Sequence, residues 1–370
     1  MIRQRTRPLT LAAKDTLKKL SLSAGVLVVL LVVAELFVRV SGLAPVQFAQ
    51  TRHLETDDKR RALDLYPSDE RDTFDVDLQD EGTLAEFQAL GLDASEYAEH
   101  TPHGIAFRYS AELCRGGDVP PKSERTRIMI VGDSFAEGQG VREDETSAAQ
   151  LQVRLGDRYE VLNCGRRGYD ISDVAEFLER HIEALEPDVV LYAYTLNDPE
   201  QSEAFAAQQT FLDDWILARR QMVSDGPGGL SFFQSHLWAA LQDRLEGASV
   251  GQATTTWYRD MVMEPNAEGW TRSLEHIDAM KALASSLGAD FEVVIQPLLV
   301  DLDGVYPFEA VHEQVLSDLE ARGVHATDAL ANFAGRSAPS LWVHACDRHP
   351  NREAQGLIAE SMALALEDLR

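Results

Sequence analysis

Residues 128–141 read IMIVGDSFAEGQGV: a short apolar run from Arg127 to Val131 that ends in Gly132-Asp133-Ser134. A helical stretch is expected soon after, at 147–155. A second run, Glu160-Val-Leu-Asn163, ends in Gly165 and Gly168. Residues 172–185 then follow a helical period. Ser172 is the expected cap, and Val174, Phe177, Leu178, His181, Ile182 and Leu185 recur on one face. Pro187 ends that helix. Residues 188–194, DVVLYAY, are nearly all apolar, as in a strand buried on both faces. A fourth run lies at 291–295 and a weaker fifth at 324–327. Helices are expected over 272–287, 307–322 and 352–369. Strands alternating with helices imply a parallel sheet covered on both sides. The expected fold class is α/β: a flavodoxin-like three-layer sandwich with a central parallel sheet of about five strands.

Residues 199–270 interrupt the alternation. They hold amphipathic helical stretches at 204–222 and 232–245, separated by the breaker Gly226-Pro-Gly-Gly229. They read as an inserted helical cap beside the active face, or as a long crossover connection.

The N-terminus carries a different signal. Residues 20–38, LSLSAGVLVVLLVVAELFV, are 19 nearly continuous apolar positions. At 1.5 Å rise they match a hydrocarbon core of about 30 Å. Arg3, Arg5, Arg7, Lys14, Lys18 and Lys19 precede them against Asp15 alone. The positive-inside rule then places the N-terminus in the cytoplasm and the chain after Val40 outside. Glu35 and Arg39 stand four apart and can pair near the outer interface. The competing expectation is a cleaved signal peptide, for which Gly42-Leu43-Ala44 supplies small residues.

The chain of 370 residues has 34 basic and 61 acidic side chains, a net charge of −27. That balance disfavours nucleic acid as the main partner, because phosphate binding needs a positive field. It equally disfavours broad docking on anionic lipid. Between residues 54 and 99 there are 15 acidic residues against four basic ones. Phe74, Val76 and Leu78 alternate there with Asp75, Asp77 and Gln79, which suggests a half-exposed strand rather than a calcium loop, since the required glycine and glutamate are missing. The three cysteines, Cys114, Cys164 and Cys346, form no CxxC pair. They permit one disulfide and one thiol, with the pairing open. For Cys164 and Cys346, beside candidate site residues, two buried thiols are favoured over a bridge.

In an open parallel sheet, ligands bind beyond the carboxyl ends of the strands. Those ends carry Ser134, Gly165 and Gly168, and Asn197-Asp198. Asp347, His349, Pro350 and Asn351 precede the last helix. A serine at a strand–helix turn can attack a carbonyl, a histidine can take its proton, and a carboxylate can orient the histidine. The backbone N–H groups of Ser134 and Gly168 and the Asn197 amide can hold an oxyanion. Plainer roles exist for each: Ser134 as a helix cap, Gly168 as a turn glycine, Asn197-Asp198-Pro199 as a turn, His349 on a surface loop and Asp347 as a cap. His344 is a competing base. Arg166 and Arg167 either recognise an acidic substrate or balance the acidic surface.

The segments IMIVGDSFAEGQGV (128–141), VLNCGRRGYD (161–170), YTLNDPE (194–200) and CDRHPN (346–351) resemble the blocks of the SGNH (GDSL) hydrolase family, in the right order, over residues 126–370. The resemblance implies Ser134 as nucleophile, His349 as base and Asp347 as its partner. It implies oxyanion donors at Ser134, Gly168 and Asn197, with no metal and no organic cofactor. Asp347-Arg348-His349 is one residue shorter than the common Asp-x-x-His. That spacing is similar to membrane-anchored and polysaccharide O-acetylating relatives. Phe135 stands where the name-giving motif has leucine. The organisation expected is a basic cytoplasmic tail (1–19), a transmembrane signal anchor (20–40), an acidic membrane-proximal region (41–124) and an SGNH hydrolase domain (125–370) with the insertion near 199–270. The function expected is a single-pass, membrane-anchored serine esterase whose catalytic domain is periplasmic or extracellular, acting on an ester or acylated glycan. An O-acyltransferase acting on an extracellular glycan is the alternative. A non-catalytic module binding glycan or a partner is the third.

Overall fold

The computed structural model describes residues 11–41, 109–209, 233–344 and 347–367. The chain divides into two compact units, Met1–Ala49 with Trp215–Ser249 and Gln50–Asp214 with Val250–Arg370. The expected acidic strand around Phe74, Val76 and Leu78, most of the helix expected over 204–222, and the Gly226–Gly229 breaker lie outside the described residues.

The elements in chain order are α1 (Leu11–Ser41), β1 (Thr126–Gly132), α2 (Ser134–Glu137), α3 (Ser147–Leu155), β2 (Tyr159–Asn163), α4 (Ile171–Leu185), β3 (Val189–Thr195) and α5 (Glu203–Ala206). They continue with α6 (His236–Asp260), α7 (Ala267–Ser286), β4 (Asp290–Gln296), α8 (Glu309–Ala321), β5 (His325–Asp328), α9 (Leu330–Phe333), β6 (Trp342–His344), β7 (Asp347–Pro350) and α10 (Arg352–Glu367). The larger unit is built on a five-stranded sheet of order β2-β1-β3-β4-β5, parallel throughout. This is the flavodoxin-like order, whose switch point lies between β1 and β3. Every residue of β3 is buried, which is why its sequence is apolar without alternation.

Alternate residues of the strands serve different layers. Met129 and Val131 of β1 join Phe177 and Ile182 of α4, Ile277 of α7 and Val315 of α8. Ile128 and Ile130 join Leu151 of α3 and Ile358 and Met362 of α10. Burying each such side chain stabilises by about 1.5–3 kcal/mol. A charged pair sits at the start of β1. The Arg127 guanidinium, 2% exposed, meets Glu160 at 2.6 Å and donates to the carbonyls of Leu185 and Pro120, both at 2.6 Å. Those bonds satisfy a cation that could not otherwise be buried.

Two local expectations need correction. The cap of α4 is Asp170, not Ser172. Its carboxylate accepts the N–H groups of Ser172 and Asp173 at 2.8 and 3.1 Å, and Asp173 returns a bond to the Asp170 N–H. This reciprocal capping box starts the helix one residue before Ser172. Cys164 is not a thiol: it is bonded to Cys114. Two isolated bridges, Tyr109 to Arg115 and Arg115 to Asn163, lay residues 109–115 along the end of β2. That places Cys114 beside Cys164. Residues 109–115 thus lie beside β2.

In the smaller unit α1 is long and apolar enough to cross a membrane. The most apolar 18-residue window of its stretch Lys18–Ser41 has a mean hydropathy of 2.5. Glu35 and Arg39 pair at 2.7 Å, as their spacing suggested.

The disulfide joins residues 50 apart in sequence. The double variant Cys114→Ser, Cys164→Ser should lose about 2–4 kcal/mol of stability. Urea unfolding of the full-length protein in detergent would show this as a lower midpoint.

Candidate active site

The turn from β1 into α2 organises the carboxyl end of the sheet. Asp133 caps α2, accepting the Phe135 N–H at 2.9 Å. Ser134 is therefore the first helical residue, with its side chain half-buried at the strand–helix junction. Its Oγ lies 2.9 Å from Nε2 of His349. The two residues are 215 apart in sequence.

His349 reaches that position on β7, which pairs antiparallel with β6. Asn351 closes the hairpin and starts α10. Its N–H donates to the Leu341 carbonyl at 2.9 Å, while its side-chain oxygen accepts the N–H groups of Glu353 and Ala354. Gln355 then ties α10 to the serine turn, donating to the Phe135 carbonyl at 3.0 Å and accepting the Ser147 N–H at 2.7 Å. The Phe135 ring meets the His349 imidazole edge-on, with centroids 5.6 Å apart. Asp347 opens β7 two residues before His349. The expectation for its side chain, and that for His344, lie outside what the structure describes.

Asn197 joins the same cluster through Asp133. The buried Asp133 carboxylate accepts the Asn197 amide at 3.2 Å and the Thr195 hydroxyl at 3.1 Å. An amide nitrogen carries two hydrogens, and this bond uses one of them. Burial pushes the Asp133 carboxyl up, while its hydrogen bonds and the His349 charge oppose the rise. Asp198, the next residue, is fully buried. It accepts the Tyr192 hydroxyl at 2.7 Å and the Thr195 N–H at 3.0 Å. Burial first, and then the Asp133 charge, push its carboxyl well above the ordinary value of 3.8.

The loop after β2 packs against the serine helix. A Cβ on Gly165 would fall 2.3 Å from the Glu137 nitrogen, so no other residue fits there without displacing the backbone. Gly168 occupies a turn at φ 77°, which glycine adopts without strain. Arg166 N–H donates to the Gly132 carbonyl at 2.9 Å, tying this loop to the end of β1.

Several contributors had no signal in the sequence. Glu137, completely buried, takes the Arg167 Nε at 3.0 Å and the Tyr109 hydroxyl. Arg166 lies over the Tyr109 ring, 4.5 Å from its centroid. Arg115 donates to the carbonyls of Glu137, Gly138 and Val141 at 2.6–2.8 Å. Arg167 is thus engaged with a buried acid, a role different from either expected for it. Tyr258, near the end of α6, stands within electrostatic reach of Asp133 and Arg348. Burial and then the Asp133 charge raise its phenol, and Arg348 opposes them.

No protein-family model matches the chain, and no curated protein matches it. Among solved structures, it is similar to TesA at 16% identity, covering 66% of this chain and 99% of that one with a TM-score of 0.39. It is similar to the psychrotrophic esterase EstA from Pseudoalteromonas sp. at 16% identity, covering 66% and 98% with a TM-score of 0.37. An acetylxylan esterase from Geobacillus stearothermophilus matches at 13% identity, covering 67% and 96% with a TM-score of 0.37.

The Asp198 environment has a consequence for stability. A carboxyl whose pKa is raised on folding keeps its proton in the native state after the unfolded chain has released it. Native protein then binds more protons, so stability falls as pH rises from about 4. Asp198→Asn removes that titration while keeping an acceptor for Tyr192 and Thr195. Urea unfolding from about pH 4 to pH 8 should show the wild type losing stability relative to this variant as pH rises.

Proposed function

We propose that the chain is a membrane-anchored serine esterase working through an acyl-enzyme. The observation that carries this reading is the 2.9 Å contact between Ser134 Oγ and His349 Nε2 at the carboxyl end of a parallel sheet. The distance is within hydrogen-bond reach for proton transfer.

In this reading neutral His349 takes the Ser134 proton as Oγ attacks the ester carbonyl. The tetrahedral oxyanion accepts the N–H groups of Ser134 and Gly168 and the second amide hydrogen of Asn197. Asp133 holds that amide in place. The collapsing intermediate expels the alcohol, which takes the proton back from His349. Water, deprotonated by the same imidazole, then attacks the acyl-enzyme; the second intermediate collapses to release the acid, and His349 returns the proton to the departing Ser134 Oγ. Asp347 orients the imidazole and stabilises its charged form.

Several features support placement outside the cytoplasm. The basic flank of α1 precedes its apolar stretch. The Cys114–Cys164 bridge suits an oxidising compartment. Glu35 of α1 is bonded to residues 235–237, far along the chain, which favours an anchor that stays attached. The substrate is an ester or an acylated glycan.

The test is turnover of p-nitrophenyl acetate and butyrate by the full-length protein in detergent, with fluorophosphonate labelling of the nucleophile. Ser134→Ala and His349→Ala should each lower kcat by about 10⁴- to 10⁶-fold. Only Ser134→Ala should abolish the labelling site itself. A stoichiometric burst without steady turnover would instead mean that water is not the natural acceptor.

A further inference from the structure

The outer end of α1 is tied to a second helix. The Glu35 carboxylate accepts the N–H groups of His236 and Leu237, both at 2.9 Å, and the Ser235 hydroxyl at 2.8 Å. Arg39 holds Glu35 at 2.7 Å and donates to the Gln234 carbonyl at 2.8 Å. The Trp238 N–H goes to Ser235 Oγ at 3.1 Å. The first backbone donors of α6 are therefore satisfied by side chains and not by water. In hydrocarbon an unmet N–H costs several kcal/mol, so such a helix start tolerates a lipid environment.

The surface of the same segment is apolar. Leu237 packs against the buried pair Val38 and Ala240, which joins the two helices. On another side Phe233 is 95% exposed, Trp238 62% and Leu245 65%. Trp238, Leu241 and Leu245 recur at i, i+3 and i+7, one face of a helix. Between this face and α1 runs a groove of about 690 Å³, walled by Val28, Leu31 and Leu36 on one side and Phe233, Trp238 and Leu241 on the other. Val28 and Leu31 stand near the middle of the Lys18–Ser41 stretch, whose most apolar 18-residue window is 6% buried within the protein. Side chains that share a groove with them share their depth.

We infer that residues 233–245 form a second membrane contact, embedding Phe233, Trp238, Leu241 and Leu245 among the acyl chains of the outer leaflet beside α1. This rests on α1 being a membrane anchor, as proposed above. Lipid is the occupant because the groove is continuous with the apolar surface of α1. Arg39, the cation at its rim, is already engaged by Glu35.

The test uses the full-length protein reconstituted in phosphatidylcholine vesicles. Flotation after an alkaline carbonate wash examines the anchor alone. Tryptophan emission of the floated protein is then compared between ordinary phosphatidylcholine and phosphatidylcholine brominated on its acyl chains, for wild type and Trp238→Phe. Bromine should quench wild-type emission by about the share of one of the five tryptophans, and Trp238→Phe should lose that quenched share. Emission indifferent to bromine, or equal quenching in the two proteins, overturns the second contact while the anchor stands. Shielding from bromine that disappears when the protein is diluted with lipid assigns the face to a second copy and likewise overturns it. Protein that fails to float overturns the anchor and, with it, this inference.

Discussion

The buried carboxylate of Asp133 is the interaction on which the site depends. It caps the helix that begins at Ser134, takes the Thr195 hydroxyl at the end of β3 and holds the Asn197 amide. One side chain thus joins the ends of the two central strands at the switch point of the sheet. A carboxylate in that position is unfavourable without hydrogen bonds, because burial penalises its charge. Three donors offset the penalty and fix three directions at once. The orientation of Ser134 and of the Asn197 amide follows from how that one buried group is satisfied.

A second layer holds the loop that follows β2. The Cys114–Cys164 bridge, the Arg115 bonds to the carbonyls of residues 137, 138 and 141, and the Arg167–Glu137 pair all converge there. The bridge joins residues 109–115 to the glycine loop, and the two arginines join those segments to the serine helix and the turn after it. Glu137 is completely buried, so its contacts with Arg167 and Tyr109 are required partners and not ornaments of the surface. In the esterase reading, this layer keeps the Gly168 N–H from drifting as charge develops on the substrate. Oxyanion stabilisation is strongest when its donors need no reorganisation.

Strong local signals were readable along the chain. Five apolar runs, each ending in small or polar residues, correspond to β1–β5, and the helical period over residues 172–185 corresponds to α4. Ser134 and His349 could be nominated because each lies at an element boundary on the ligand-binding edge of the sheet. Boundaries were less readable. Ser172 looked like the cap of α4, but an aspartate two residues earlier makes the stronger reciprocal bonds. Cys164 looked like a buried thiol because nothing local marks its partner 50 residues away.

By itself the sequence determined the alternation of strands and helices, the apolar length of α1 and the identity of the residues at the strand ends. These follow from periodicity, composition and order, which are properties of neighbours along the chain. Only the tertiary structure decided that Ser134 meets His349 across 215 residues, that Cys114 bonds Cys164 and that Glu35 caps a helix beginning near residue 236. The reason is physical. A hydrogen bond or a disulfide between distant segments depends on where the folded backbone brings them, and that placement is set by the packing of whole layers.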